Sequence, residues 1–450
     1  MELAYLLNST INSIQNLKNY FEHQIGAIEE KVQKDIEQYK YGVLLERFFF
    51  SKSMEMEDME LEQAELEIVN RIVEFYDINA SDDAGIRIKY KLKENLDIDK
   101  KYELNPQKAH TEFLKLTEQP QILCDSTLIM LLVKYEEAIA RIYECLLKKF
   151  PQAYLNTRTI SYAELVAMSS DMDEIKGRFI EQEIEEFMRQ PLSDWYKSFS
   201  EKHKLVFSFE EQFEKFKEIY YRRNLIVHNS GVVNDVYLKN VRLEENSKIC
   251  KGCRLSTNTE YLTDAFNTIQ IILYGTFYAM RKNVKNKSRF DDCFFDQGYY
   301  HMTKGEWVLS EYIYSLLVKD KDKQEADRLC CQINYWISIK NQNRFEEISE
   351  AINSFDVSAR SGQFKVAKAA LLDDHKLVSQ ILDDIIEKEL PTTYIEEWPL
   401  FIQYRKSPQY QELKTAHIEE FKIYGYEPEA ITVDDESAIL EEFEEDVDKI

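Results

Sequence analysis

The 450-residue chain carries 82 acidic against 57 basic side chains, a formal net charge of −25. That length allows two to four domains with well-buried cores, and the acidic excess weighs against a protein that coats nucleic acid over its whole surface. Glycine (11) and proline (8) are scarce while tyrosine (28) and phenylalanine (25) are frequent. This balance favours helices over a turn-rich β fold.

No apolar run reaches membrane-spanning length, so no membrane association is expected. Seven cysteines are scattered along the chain without a disulfide-framework spacing. Met1-Glu2-Leu3 opens a polar amphipathic helix rather than a leader. Together these point to a reducing cytoplasm.

Residues 1–120 read as an N-terminal helical region. Leu3, Leu6, Leu7, Ile11, Ile14 and Leu17 recur at helical spacing. A second helix is expected through the acid-rich stretch 55–60, whose charges read as a solvated face. A break is expected over 77–83. Gly85 to Leu92 alternates and predicts a short strand near 85–92. Residues 102–120 read as a linker with one short helix.

Residues 121–290 change to long helices. One is expected over 126–150, capped by Asp125 or Ser126 and stopped by Pro151. Another begins at 161 or 173 and ends before Pro191, and a third spans 209–228. An irregular or hairpin segment, 232–255, precedes a closing helix from Ser256 or Thr257 to 283. These elements make a helical bundle of domain size.

Over 291–426 short helices alternate with short breaks, at 306–318, 323–339, 344–352, 364–372, 377–388 and 409–424. Antiparallel pairs of this length suggest an α-solenoid-like unit. Glu397-Trp398-Pro399-Leu400-Phe401 reads as its closing turn. Residues 427–450 form an acidic tail with eleven acids and one base, in which Leu440 and Phe443 allow docking as an acidic-hydrophobic helix.

The third bundle helix holds the most informative stretch, Arg223-Asn224-Leu225-Ile226-Val227-His228, followed at once by the stop signal Asn229-Ser230-Gly231. Phe213, Phe216, Tyr220 and Val227 form an apolar stripe, and Arg223 falls on it. An arginine there requires an anionic partner. Asn224 and His228 are four apart and share a face. Arg223 and His228 are five apart and diverge by about 140° on a straight helix. They converge on one ligand only if the helix frays near Asn229 or if a second copy contributes. Histidine titrates near neutrality and serves as acid or base. Arginine binds phosphate and stabilises charge developing on it. No carboxylate cluster adjoins them, so the natural reaction is metal-independent and uses the ribose 2′-hydroxyl, which restricts it to RNA. The competing reading is a charged helix end, with Arg223 paired to an acid and His228 favoured by the helix dipole.

The Arg223-Asn224-Leu225-Ile226-Val227-His228 stretch resembles the RNxxxH form of the R-x4-6-H motif of HEPN-domain ribonucleases. The resemblance extends over about 165 residues, through Asn229-Ser230-Gly231 and the hairpin-like segment to the closing helix that opens near Leu255-Ser256-Thr257. It implies an all-α bundle, usually dimeric, with a composite site at the dimer cleft. Arg223 and His228 would be catalytic and Asn224 supporting. Arg222 satisfies the looser spacing, which leaves open which arginine matters. The family implies an endoribonuclease that yields a 2′,3′-cyclic phosphate, without a cofactor or metal. It would act as a bacterial antiphage defence or toxin effector, in a homodimer or higher even oligomer, with a regulatory or trigger protein as a further partner. The family includes inactive members, so a non-catalytic binding or scaffold module is the alternative.

Weaker signals surround the motif. Arg281, Lys282, Lys285, Lys287 and Arg289, with Arg222, are candidate contacts to RNA phosphates. A basic helix terminus explains the 281–289 run equally well. Cys250-Lys251-Gly252-Cys253 suggests a half zinc site, a redox pair or simply a glycine turn. Asp291, Asp292, Asp296 and His301 suggest either a metal site or a packed segment between domains.

Overall fold

The computed structural model describes residues 3–53, 76–81, 87–93, 106–152, 172–243, 247–283, 287–321, 323–386 and 388–422, with a few isolated positions between 65 and 74. The fold is all-α, and among the described residues it also contains a two-stranded antiparallel ribbon. The chain divides into two compact units, Met1–Phe290 and Asp291–Ile450.

The first unit is built on α1 (Leu3–Ser53) and α2 (Pro106–Lys149), which pack along each other. Leu3, Leu6, Leu7, Ile11, Ile14, Phe21 and Ile25 of α1 are buried, as the three- and four-residue spacing requires. Next come α3 (Met172–Met188), α4 (Leu192–His203), α5 (Glu210–Asn229), the short α6 (Asp235–Asn240) and α7 (Thr259–Met280). Helix α2 touches α1, α3, α5 and α7, while α7 also touches α1 and α5. The N-terminal helix is thus part of the bundle. A domain boundary at 120/121 does not hold either, because α2 runs unbroken through Pro120.

Proline lacks an N–H and normally interrupts a helix. Here Leu116, Cys124, Leu128, Leu131 and Tyr135 keep one buried face on both sides of Pro120, so packing overrides the local break. The linker expected over 102–120 is therefore largely helix.

Aromatic side chains fill the interior. Tyr143 stacks on Phe187 at 3.9 Å between centroids, and Tyr135 lies 4.5 Å from Phe216. Some buried polar groups are paired across helices. The Tyr135 and Tyr196 hydroxyls meet at 2.8 Å, and the Gln15 amide donates to Gln270 Oε1 at 3.3 Å.

The strand expected near 85–92 is β2 (Arg87–Leu92). It pairs with β1 (Tyr76–Ser81), where a break was expected. A lone strand cannot satisfy its backbone, so the partner had to come from the neighbouring polar segment. The helix expected across 55–60 lies outside the described residues.

Helix α8 (Lys287–Thr303) begins in the first unit and continues from Asp291 in the second, which also contains α9 (Trp307–Val318), α10 (Glu325–Lys340), α11 (Ser349–Ser354), α12 (Gly362–Leu371), α13 (His375–Ile385), α14 (Thr392–Glu397), α15 (Pro408–Ala416) and α16 (Ile418–Lys422). Successive helices pack as pairs, α9 with α10 and α12 with α13. Gly298 of α8 lies so close to α9 that an added Cβ would meet the Tyr314 ring at 2.9 Å. The helix expected over 409–424 is divided, because α15 ends before His417 and α16 begins at Ile418. The acidic tail lies outside the described residues.

Candidate functional site

Helix α5 carries the motif. Glu210 and Glu211 occupy its first turn, where the dipole favours anions. Phe216, Ile219 and Leu225 are buried. Beyond Leu225 the helix leaves the bundle, and Val227, His228, Asn229 and Ser230 are all exposed. Val227, expected on the apolar stripe, is therefore at the surface.

The stop is sharp. Ser230 is left-handed (φ 50°) and Gly231 follows at φ 77°. The Gly231 N–H returns to the Leu225 carbonyl at 3.0 Å. A Cβ at Gly231 would meet the Leu255 carbonyl oxygen at 3.0 Å, so both conformation and space call for glycine.

The chain then forms a narrow hairpin. Leu255 N–H donates to Gly231 O at 2.9 Å, Val233 N–H to Cys253 O at 2.9 Å, and Gly252 N–H to Val233 O at 3.0 Å. Leu225, Val233, Tyr237 and Val241 make a small core beneath it. Cys250 and Cys253 are joined as a disulfide across the Lys251-Gly252 turn. Asn258, not Ser256 or Thr257, caps α7 by accepting from Tyr261 N–H at 2.8 Å.

Each polar residue of the motif has a distinct setting. Arg223 donates from Nη2 to the Glu136 carboxylate of α2, and its guanidinium lies 5.1 Å from the Tyr220 ring. Its side chain is 17% exposed and that of Glu136 29%, so the pair lies at the bundle surface rather than deep inside. Arg223 Nε is buried without a hydrogen-bond partner among the described residues. Burial, and then the Glu136 carboxylate, push the Tyr220 hydroxyl above the ordinary phenol range.

Asn224 is half-buried and His228 exposed, and neither side chain bonds to another described residue. The helix stays regular through Asn229. Arg223 and His228 therefore keep the angular separation of about 140° that five residues impose, and one copy does not bring them together.

Arg222 is committed elsewhere. Its Nε donates to Glu218 Oε1 at 2.7 Å, its Nη1 to the Ser256 carbonyl at 2.8 Å, and its plane covers the Tyr261 ring at 4.0 Å. Tyr237 and Tyr261 donate to the same Glu218 carboxylate at 2.7 and 2.6 Å. Burial first, and then Glu218, raise both phenols far above their usual range, so they remain donors. This network ties α5, α6 and the hairpin to the start of α7. Arg222, a candidate RNA contact, thus directs its Nε and Nη1 into the fold.

The basic segment lies at the other end of α7. Arg281–Asn283 is a 3-10 turn, with the Arg281 guanidinium 6.0 Å from the Tyr278 ring. Lys282 donates to the Lys204 carbonyl at the end of α4. Lys287 and Arg289 are exposed on the first turn of α8, and Lys285 lies outside the described residues. Tyr261, at the motif end of α7, precedes Arg281 by twenty residues, about 30 Å of helix. The basic segment and His228 do not converge within one copy.

Among the described residues no group of three or more His, Cys, Asp or Glu side chains could hold a metal ion. Asp291 faces Lys323 at 4.0 Å, and the buried His301 ring bonds to Glu306 through Nδ1 at 2.5 Å. That segment is packing.

Glu136 and Glu218 have no motif of their own. The stripe position of Arg223 showed that an acid was needed, but nothing local pointed to α2. No protein-family model, curated protein or solved structure matches the chain. Among the described residues no helix is long and apolar enough to cross a membrane.

Proposed function

We propose that the protein is a HEPN-type, metal-independent endoribonuclease, with Arg223, Asn224 and His228 as its reactive set. The observation behind this reading is the setting of His228. It stands on the exposed last turn of α5, with no side-chain partner among the described residues, just beyond an arginine held at the bundle surface.

In the proposed reaction the His228 imidazole takes the proton of a ribose 2′-hydroxyl as that oxygen attacks the adjacent phosphorus. The bond from phosphorus to the 5′-oxygen breaks. The products are a 2′,3′-cyclic phosphate and a 5′-hydroxyl, which takes its proton from a second acid. Arg223 stabilises the charge on the non-bridging oxygens, and Glu136 holds the guanidinium in place. Because Arg223 and His228 diverge on one unbroken helix, the reaction requires a second copy, which supplies the facing set in a homodimer or higher even oligomer. The family resemblance alone supports a defence or toxin role and a regulatory partner.

The test is product-end chemistry on RNA. The unmodified protein is expected to leave cyclic phosphates, and His228→Ala to lose about 10²- to 10⁴-fold in rate, the usual share of an acid–base group. Equal cleavage by the two proteins, or no cleavage by either in the presence of a trigger, overturns the reading. One observation favours the alternative of a non-catalytic RNA-binding module, namely that Arg223 is already neutralised by Glu136. Binding of RNA without cleavage would support it.

A further inference from the structure

The second unit holds a cavity of about 440 Å³ that the ribonuclease reading does not use. Four successive parts of the chain line it: α8, α10, the start of α12, and the segment Leu390–Trp398 that contains α14. Every described lining side chain is uncharged, although 31% of the whole chain is charged. The volume lies in the range of small-molecule sites, roughly 300–1,000 Å³, and far exceeds an ordinary packing defect.

The walls are held in place. Trp398 Nε1 donates to Asn334 Oδ1 at 3.1 Å, and Asn334 is buried. Arg405 Nη1 donates to the Ile395 and Trp398 carbonyls at 2.8 and 3.1 Å, which fixes the backbone behind the Trp398 wall. The Gln363 amide nitrogen donates to the Glu389 carbonyl, leaving its Oε1 as an acceptor. The Tyr299 hydroxyl is half-buried at the cavity and bonds to no described residue. Tyr394 stands at the same cavity with 52% of its surface exposed, unusual for a large aromatic side chain that has a cavity to fill.

We propose that this cavity is a binding site for an uncharged aromatic small molecule of one or two fused rings. An apolar aromatic lining supplies stacking area and dispersion. Tyr299 and Gln363 supply two polar contacts that set orientation. Among the described residues no lysine or arginine lines the cavity, which disfavours a phosphate or carboxylate as the recognised group, because a buried anion without a partner carries a heavy desolvation cost. The site therefore differs in chemistry from any surface that would hold RNA. It provides the second unit with a ligand of its own, and it stands whether or not the first unit cleaves RNA.

The experiment is ligand-observed saturation-transfer NMR on the full chain with three probes: indole, indole-3-acetate and N-acetyl-tryptophanamide. Indole is expected to bind at millimolar concentration or tighter. Its anionic counterpart is expected to bind at least about tenfold more weakly, the cost of an unpaired charge. Cys330 lines the cavity and is otherwise exposed, so Cys330→Trp fills the space from its rim and should abolish indole binding without shifting the thermal midpoint. Should that variant unfold, Tyr394→Ala and Gln363→Ala at exposed positions serve instead, each expected to weaken indole severalfold. Equal binding of indole and indole-3-acetate, absence of binding by either, or indole binding that survives Cys330→Trp overturns the proposal. Binding of N-acetyl-tryptophanamide alone also overturns it and makes the cavity a peptide site.

Discussion

Arg223 on α5 and Glu136 on α2 form an ion pair across 87 positions of sequence. The pair meets the requirement set by an arginine on an apolar stripe, and it ties the motif helix to α2. Removing the carboxylate leaves a guanidinium that already has one buried, unpartnered nitrogen. Glu136→Ala should therefore cost about 1–2 kcal/mol of stability, less than a deeply buried pair because both groups remain partly wet. A double-mutant cycle with Arg223→Ala, read by chemical denaturation, checks it. Simple additivity of the two single costs would show that the contact contributes nothing.

Arg222→Ala should prove more damaging to the fold than Arg223→Ala. The change strips Glu218 of its cation while two tyrosines still donate to it, and uncaps the Ser256 carbonyl. A loss of about 2–3 kcal/mol is expected for a charge-assisted, multiply bonded side chain. Lysine cannot reproduce the forked contacts or the cover over Tyr261, so Arg222→Lys should recover less than half. Thermal unfolding of these three variants beside the unmodified protein decides this, and a near-neutral Arg222→Ala would show that its contacts to Glu218 and Ser256 do not hold the fold.

The all-α architecture could be read from composition and helical spacing because those signals are local. The end of α5 was equally open to reading, since Asn229-Ser230-Gly231 is itself the signal for a left-handed stop. What escaped was set at long range. Pro120 reads as a break until the buried face that continues through it is known. Arg222 and Arg223 read as interchangeable until Glu218 and Glu136 claim one each. Helix α4 was absent from the sequence reading because Ser193, Asp194 and Ser198 disguise a helix whose Trp195, Tyr196 and Phe199 are buried. Asn224 and His228 have no side-chain partner among the described residues, which is why the functional proposal rests on them with Arg223.

Gly231→Ala tests how firmly the hairpin holds the motif end. Alanine at φ 77° is strained, and its methyl group presses on the Leu255 carbonyl. A cost of about 1–3 kcal/mol is expected. It should appear first as faster amide exchange at Val233 and Leu255, whose N–H groups bond across the hairpin. Unchanged exchange at those two amides would mean that the turn is not what secures the hairpin.

His203 should make the protein less stable in mild acid. It is buried against the Tyr143 ring at 5.9 Å, and its Nε2 has no hydrogen-bond partner among the described residues. Burial first, and then the Lys202 charge, hold its pKa below the ordinary histidine value of 6.5. The folded state thus binds the proton less readily than the unfolded state, whose histidine titrates near 6.5. Stability is complete above that pH. It declines as pH falls through about 6.5 and levels off once the folded-state histidine also protonates. His203→Phe keeps the aromatic contact and removes the titration. The difference in unfolding free energy between the two proteins should be small and flat above neutrality, then shift in favour of His203→Phe as pH falls toward 5. Denaturant titrations at pH 5, 6, 7 and 8 measure that difference, and a constant offset across the series would mean that His203 is protonated equally in both states.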